Sequence, residues 1–106
     1  NYNSVVATFC HNIAHNLPIN INDPKTQLTL VYIDDVITDI LRLLNHKYIG
    51  FSRPIIKPEY SISLGDLARQ IESFKESGNI SIFKNINKGL TSALYSTYLS
   101  YLPSNN

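Results

Sequence analysis

The stretch from Leu28 to Val36 constrains the fold more than any other part of this sequence. Residues 26–33 are rich in β-branched and apolar side chains, which predicts a well-buried strand. Asp34 and Asp35 follow at once, and a carboxylate at this position caps a helix and complements its dipole. Apolar residues then recur at helical spacing as far as Leu44. A strand that passes directly into a helix predicts a fold that mixes α and β structure.

A first helix is predicted before this strand. Apolar residues recur at positions three and four apart from Val6 to Leu17, which gives one apolar face. Asn3 or Ser4 can cap its start, and Pro18 forces its end.

Two more helices are predicted near the end of the chain. Ser63 caps one of them, with Asp66 completing a capping box and Gly78 ending it. The last helix covers residues 89–102, and Pro103 ends it.

The remaining segments predict short strands and loops. Residues 19–22 alternate between Ile and Asn, as a half-buried strand does, and turn residues 22–25 would join them to residues 26–33 in a hairpin. Residues 48–59 read as a loop, residues 60–62 as a short strand, and residues 80–86 as extended chain. We therefore expect an α+β fold of four amphipathic helices with short strand pairs.

Composition excludes several classes of function. The 106 residues carry a net charge of +1 with no basic stripe, so we expect no nucleic-acid partner. No apolar run approaches the roughly 20 residues that cross a bilayer, so we expect no membrane partner. No signal peptide opens the chain, and the single Cys10 fits a reducing compartment, so we expect a cytoplasmic location. Charged residues make up only 16%, which suggests that part of the surface meets another protein segment.

The chain lacks the motifs of a self-sufficient enzyme. Its four glycines are isolated, so no glycine-rich phosphate loop is present and we expect no cofactor in this chain. No Tyr is followed four residues later by Lys, so we expect no catalytic residue. His11 and His15 have the i, i+4 spacing of metal ligands, but a third ligand is not evident. We therefore expect two solvated imidazoles and no resident metal. That the chain is a small metal-binding protein is the weakest hypothesis, behind the two that follow.

The strand-to-helix step resembles a known family. Residues 28–36, Leu-Thr-Leu-Val-Tyr-Ile-Asp-Asp-Val, resemble the hydrophobic-V-D-D-V segment of the extended short-chain dehydrogenases/reductases, which include nucleotide-sugar epimerases, dehydratases and reductases. Residues 60–67 are similar to the strand and capped helix that follow in these enzymes. Residues 1–10 and 93–103 resemble segments of bifunctional enzymes of capsular polysaccharide biosynthesis. In these enzymes a reductase domain of this family precedes a metal-binding cupin domain.

This resemblance implies that residues 1–106 are a single partial domain, the C-terminal substrate-binding part of the reductase domain. The Rossmann half and the cupin would be absent, and the parent would reduce a UDP-deoxy-amino-sugar with NAD or NADP. Many relatives have an Arg just before this strand, and that Arg contacts the diphosphate. In this chain Lys25 or Arg53 would take its place. The substrate-binding positions that the resemblance implies are Asn1, Tyr2, Asn3, Ser4, Lys25 and Arg53.

An alternative hypothesis is a free-standing protein-interaction module that recruits a partner through its apolar surface. On the fragment hypothesis we expect self-association, as a homo-oligomer, because apolar surface left bare favours association, whereas a clean monomer would favour the interaction module.

Overall fold

The computed structural model describes residues 4–32 and 59–104, which form three helices and one two-stranded antiparallel sheet. In chain order the elements are α1 (Ser4–Ala14), β1 (Gln27–Val31), β2 (Glu59–Ser63), α2 (Leu64–Ser77) and α3 (Lys88–Ser100). The α+β character is confirmed, with three helices rather than four in these ranges. The predicted helix that starts at Asp34 and nearly all of the predicted loop 48–59 lie outside them.

The strand pairing in the sheet differs from the predicted hairpin. β1 pairs with β2, in a register that places Leu28 opposite Ile62 and Leu30 opposite Tyr60. Leu30 and Ile62 are buried, so this face of the sheet covers the core. The short strand predicted at residues 60–62 is confirmed, but residues 19–22 form no strand. The hairpin prediction was wrong because it assumed that neighbouring extended segments pair, whereas the apolar face of β1 is matched by a segment far along the chain.

The core lies between the helices and the inner face of the sheet. α1 packs against α2 and α3, and α2 packs in addition against β2. α2 and α3 run in broadly the same direction, because Gln70 bonds to Thr91 while Phe74, one turn later, contacts the rings of Tyr95 and Tyr98. The buried apolar residues are Val6, Phe9, Cys10, Ile13, Ala14, Leu30, Ile62, Leu67, Ala68, Ile71, Phe74, Ile86, Leu90, Leu94 and Tyr98.

α1 ends earlier than its apolar pattern predicts, at Ala14 rather than Leu17. Asn16 adopts the left-handed conformation with φ 60°, which stops the helix. The Asn16 N–H then donates to the Ile13 carbonyl at 3.3 Å, and the Leu17 N–H donates to the Asn12 carbonyl at 2.7 Å. This is the hydrogen-bond pattern of a Schellman motif, in which Asn substitutes for the usual Gly.

The caps of α2 predicted at Ser63 and Gly78 are confirmed, but the described bonds of the Asp66 carboxylate are not those of the predicted capping box. The Ser63 side chain accepts a hydrogen bond from the Asp66 N–H at 3.1 Å, and Gly78, with φ 68°, ends the helix. The Asp66 carboxylate accepts instead from Asn85 Nδ2, at 3.1 Å, and from Arg69.

The fourth predicted helix corresponds to α3, which starts one residue earlier than expected and ends two residues earlier. The Asn87 side chain caps it by accepting from the N–H groups of Gly89 and Leu90, at 2.7 and 3.3 Å. Residues 80–86, expected to be extended, form no strand and include a turn before α3. A buried side chain fixes this connection, because Gln70 Nε2 donates to the Ser81 carbonyl at 2.8 Å.

None of the helices in residues 4–32 and 59–104 has the length and hydropathy that crossing a membrane requires.

Candidate functional site

A cleft of about 430 Å³ opens beside the first turns of α1. Its walls come from α1, from the segment that precedes β1 and from the start of α2. The residues that line it are Ser4, Val5, Thr8, Phe9, Asn20, Asn22, Asp23, Thr26 and Leu64.

The alternation of residues 19–22 explains how this cleft acquires its polar wall. Ile19 and Ile21 are partly buried against the core, while Asn20 and Asn22 are exposed and line the cleft. The period-2 pattern therefore describes an extended segment with an apolar and a polar side, although it pairs with no strand.

A hydrogen-bonded turn at Asp23 follows this extended segment. The Asp23 carboxylate accepts from the Lys25 N–H at 3.0 Å, and the Asp23 carbonyl accepts from the Thr26 N–H at 3.1 Å. The Thr26 carbonyl in turn accepts from the Leu64 N–H at 2.9 Å, which ties the turn to the start of α2. These local bonds follow from the Asn-Asp-Pro-Lys turn chemistry of the sequence.

The cleft suits a ligand rich in hydroxyl groups. Hydroxyl and amide side chains supply most of its polar lining, and Asp23 is the one carboxylate among the described residues that line it. The first turn of α1 contains no acidic residue, so its N–H groups and dipole favour a negatively charged group nearby.

A second, more open groove of about 600 Å³ lies across the Asp23–Pro24 turn. Lys25 and Arg69 alternate there with Asp66 and Glu72, so cations and carboxylates are mixed. The guanidinium of Arg69 bonds to Asp66 and lies 5.8 Å from the centre of the Phe83 ring. Within the described residues that line this groove, the Lys25 ammonium is the cation that no ion pair engages.

The start of α2 borders this groove but is closed to anions. The Leu64 N–H donates to the Thr26 carbonyl at 2.9 Å, and the Gly65 N–H donates to the Pro24 carbonyl at 3.0 Å. A side chain at Gly65 would bring its Cβ to 3.1 Å from Pro24 Cβ, so glycine permits this close approach.

His11 and His15 lie on the exposed side of α1 and just after it, with ring centres 4.4 Å apart and planes inclined by 24°. Residues 4–32 and 59–104 contain no group of three or more His, Cys, Asp or Glu side chains arranged to hold a metal ion. The interior side of α1 carries Cys10, and burial raises the pKa of this thiol to about 12. The thiol therefore stays protonated at neutral pH and is a poor nucleophile. Burial, then the neighbouring Cys10 and Tyr95, raise the pKa of Tyr98.

No family model matches the chain. The chain is 47% identical over 103 residues to UDP-2-acetamido-2,6-beta-L-arabino-hexul-4-ose reductase of Pseudomonas aeruginosa, a match that covers 97% of this chain and 28% of the reductase. Its fold matches a crystal structure of the capsular polysaccharide assembling protein CapF from Staphylococcus aureus with TM-score 0.73 and 40% identity, over 98% of this chain and 31% of that protein. CapF crystallised with the inhibitor 3-isopropenyl-tropolone matches with the same TM-score and identity, over 30% of its length.

The chain is homologous to this UDP-sugar reductase and to CapF over nearly its whole length. It spans less than a third of either of them. Homology therefore relates this chain to one part of a longer nucleotide-sugar or capsular polysaccharide enzyme.

The residues predicted to bind substrate are only partly brought together. Ser4 lines the cleft, whereas Lys25 is exposed in the neighbouring groove. Asn1, Tyr2, Asn3 and Arg53 lie outside the described residues. Sequence reasoning missed Thr8, Asn20 and Thr26 as lining residues. The polar half of the Ile/Asn alternation was a signal for Asn20, but it was interpreted as the solvent side of a strand.

Proposed function

We propose that the chain is the substrate-holding part of a nucleotide-sugar reductase of the extended short-chain dehydrogenase/reductase family, acting in capsular polysaccharide biosynthesis. The observation that carries this proposal is the 47% identity over 97% of the chain to a UDP-sugar reductase. The match to CapF at 40% identity supports it independently through the fold. In this proposal the chain has no catalytic residue of its own.

The substrate is a UDP-deoxy-amino-sugar, and the cleft beside α1 holds part of it. Ser4, Asn20 and Thr26 offer hydroxyl and amide groups that suit ribose or sugar hydroxyls. The acidic Asp23 makes the cleft a poor place for both phosphates. We therefore assign the diphosphate to the side of the first turn of α1, with Lys25 or Arg53 in place of the Arg that many relatives carry.

The reduction itself belongs to the rest of the parent enzyme. NAD or NADP would bind to a doubly wound domain outside residues 1–106, which would also provide the catalytic Tyr and Lys. We further propose a cytoplasmic, homo-oligomeric parent. Large apolar side chains that remain exposed support contact with further protein; these are Leu17, Ile80, Ile82, Leu99 and Leu102.

A segment exchange tests the proposal. The matching segment of the P. aeruginosa reductase is replaced by this chain, and oxidation of the reduced nicotinamide cofactor is followed with the UDP-keto-sugar as substrate. We expect the chimera to retain reductase activity, because the exchanged parts share sequence and fold. A folded chimera that binds cofactor but reduces nothing would overturn the proposal, and a monomeric isolated chain would then favour the interaction module.

Matched variants of the active chimera test the cleft. Asn20→Ala removes one amide, so we expect KM to rise roughly threefold to tenfold with kcat little changed. Asn79→Ala is the control, because Asn79 is also exposed but follows α2 and does not line the cleft. Equal effects of the two substitutions would show that the cleft is not part of the substrate site.

The isolated chain should show no saturable binding of NADPH by calorimetry.

A further inference from the structure

The turn at residues 22–26 borders both the cleft and the neighbouring groove. Asn22, Asp23 and Thr26 line the cleft, and the two residues between Asp23 and Thr26 line the groove. Because α1 forms the opposite wall of the cleft, the distance between α1 and this turn sets the width of the cleft. Whatever holds the turn in place therefore shapes the proposed substrate site.

The start of α2 holds this turn by two backbone hydrogen bonds. The Leu64 N–H donates to the Thr26 carbonyl at 2.9 Å. The Gly65 N–H donates to the Pro24 carbonyl at 3.0 Å. These are two of the four N–H groups that find no partner within a helix at its start. The turn thus helps to cap α2, and α2 in return fixes the position of the turn.

Glycine is required at position 65 for space and not for backbone freedom. The φ angle of Gly65 is not positive, unlike that of Gly78, so other residues could adopt its conformation. A Cβ at position 65, however, would lie 3.1 Å from Pro24 Cβ and 3.3 Å from the Pro24 carbonyl oxygen. The first distance is shorter than the roughly 3.5–4.0 Å that is optimal between carbon atoms. Since glycine is less favourable than alanine in a helix, the close approach of Pro24 is what accounts for it here.

We propose that Gly65 is a positioning residue for the substrate, an inference that rests on the proposed function. Gly65 lines the groove and not the cleft, so it acts through the turn and does not hold the sugar itself. By admitting the Pro24 carbonyl to the start of α2, it sets where the turn stands relative to α1. A larger side chain at position 65 displaces the turn, and the polar groups of the cleft move with it.

Gly65→Ala tests this inference in the active reductase chimera. We expect KM for the UDP-keto-sugar to rise roughly threefold to tenfold with kcat little changed, because the turn moves while the reacting groups lie elsewhere in the parent. Hydrogen exchange at residues 22–26 should become faster in the same variant. A merely structural role would instead lower kcat through a smaller folded fraction and leave KM unchanged.

Gly89→Ala is the matched control. Gly89 is likewise the second residue of its helix, and a Cβ there would lie 3.0 Å from Asn87 Oδ1 and 3.0 Å from the Tyr60 hydroxyl. It lines neither the cleft nor the groove, so we expect this substitution to leave KM unchanged.

A second substitution shows whether the effect passes through Pro24. Pro24→Gly removes the Cβ that the new side chain would meet first, so Gly65→Ala should raise KM by a smaller factor in a Pro24→Gly background. Circular dichroism checks that each variant is folded. If Gly65→Ala alone is not folded, the double variant is compared with Pro24→Gly, and its KM should still be higher because the Pro24 carbonyl remains close.

Several outcomes would overturn the inference. These are an unchanged KM or unchanged exchange at residues 22–26 in folded Gly65→Ala, an equal rise of KM in Gly89→Ala, or equal factors with and without Pro24. In the fallback comparison, an unchanged KM of the double variant has the same meaning. A chimera that is inactive with Gly65 intact would overturn the proposed function and this inference with it, whereas an active chimera insensitive to Gly65→Ala would overturn this inference alone.

Discussion

α1 and α2 stop in different ways. α2 is closed by its own neighbours in the sequence, with Ser63 capping its start and Gly78 ending it. α1 is stopped by the left-handed Asn16, and its end is also stabilised by Lys75 of α2, whose ammonium donates to the Ile13 carbonyl. One helix thus has an end that local sequence determines, whereas the other has an end that needs the tertiary fold.

This difference determines how a substitution propagates. A change to a local cap should loosen the helix that carries it and leave its neighbours in place. A change to a contact between elements should loosen both partners, since each orders the other. Substitutions at both kinds of contact test this distinction.

The largest loss is expected from Gln70→Leu. Gln70 is fully buried, donates to the Ser81 carbonyl at 2.8 Å and accepts from Thr91 Oγ1 at 2.9 Å. Leucine removes the partner of the buried Thr91 hydroxyl and of the half-buried Ser81 carbonyl, so we expect the free energy of unfolding to fall by about 3 kcal/mol in urea denaturation. Adding Thr91→Val should restore part of this loss. Additive losses in the double variant would show that the two side chains do not act as a pair.

Gly78→Ala should cost less, about 1.5 kcal/mol, because alanine is strained at φ 68°. A Cβ at Gly78 would meet nothing within 4 Å, so the cost is that of the backbone alone. Gly78→Asn is the matched variant, and thermal unfolding should show a smaller loss, since Asn tolerates this conformation. Equal losses for Ala and Asn would point to a role other than conformation.

Lys75→Met should lower stability by about 1 kcal/mol, similar to Ser63→Ala. The two should differ in place: hydrogen exchange should speed up at residues 12–17 in the Lys75 variant, and at the first turn of α2 in the Ser63 variant. Faster exchange confined to α2 in both variants would break the distinction between the two helix ends.

The smallest effect is expected from Asn16→Gly. Glycine adopts φ 60° more easily than Asn, but it removes the side-chain oxygen that Lys75 contacts. These effects oppose each other, so we expect a net change within about 0.5 kcal/mol by denaturation. Asn16→Ala removes the side-chain oxygen and is also strained at φ 60°, so it should be clearly less stable than Asn16→Gly.

Sequence patterns predicted those parts of the fold that depend on short stretches. The apolar faces of all three helices and the caps at Ser63 and Gly78 follow from spacing and local chemistry. The end of α1 was missed because Leu17 continues the apolar period, while the left-handed Asn16 interrupts the backbone. The strand partner of β1 was missed because pairing is decided by packing across the core, which no local pattern records.

The candidate site was predicted less completely than the fold. Ser4 was expected at the substrate and lines the cleft, but Lys25 belongs to the neighbouring groove. The lead-in residues before Ser4 and Arg53 lie outside the described ranges, so their roles stay predictions. Asn20 and Thr26 reach the cleft only because the turn at Asp23 folds their segment against α1, and this depends on tertiary contacts.

The register of the sheet also bears on the order of folding. Val31 lies opposite Glu59, so pairing must bring together residues that are 28 positions apart in the sequence, and this closure carries an entropic cost. The helices need no such closure and can begin to form from local contacts. Because Ser63 both pairs with Gln27 and caps α2, closing the sheet also fixes where that helix begins. The sheet is therefore expected to form late, and lengthening the chain between its strands should slow folding more than it lowers stability.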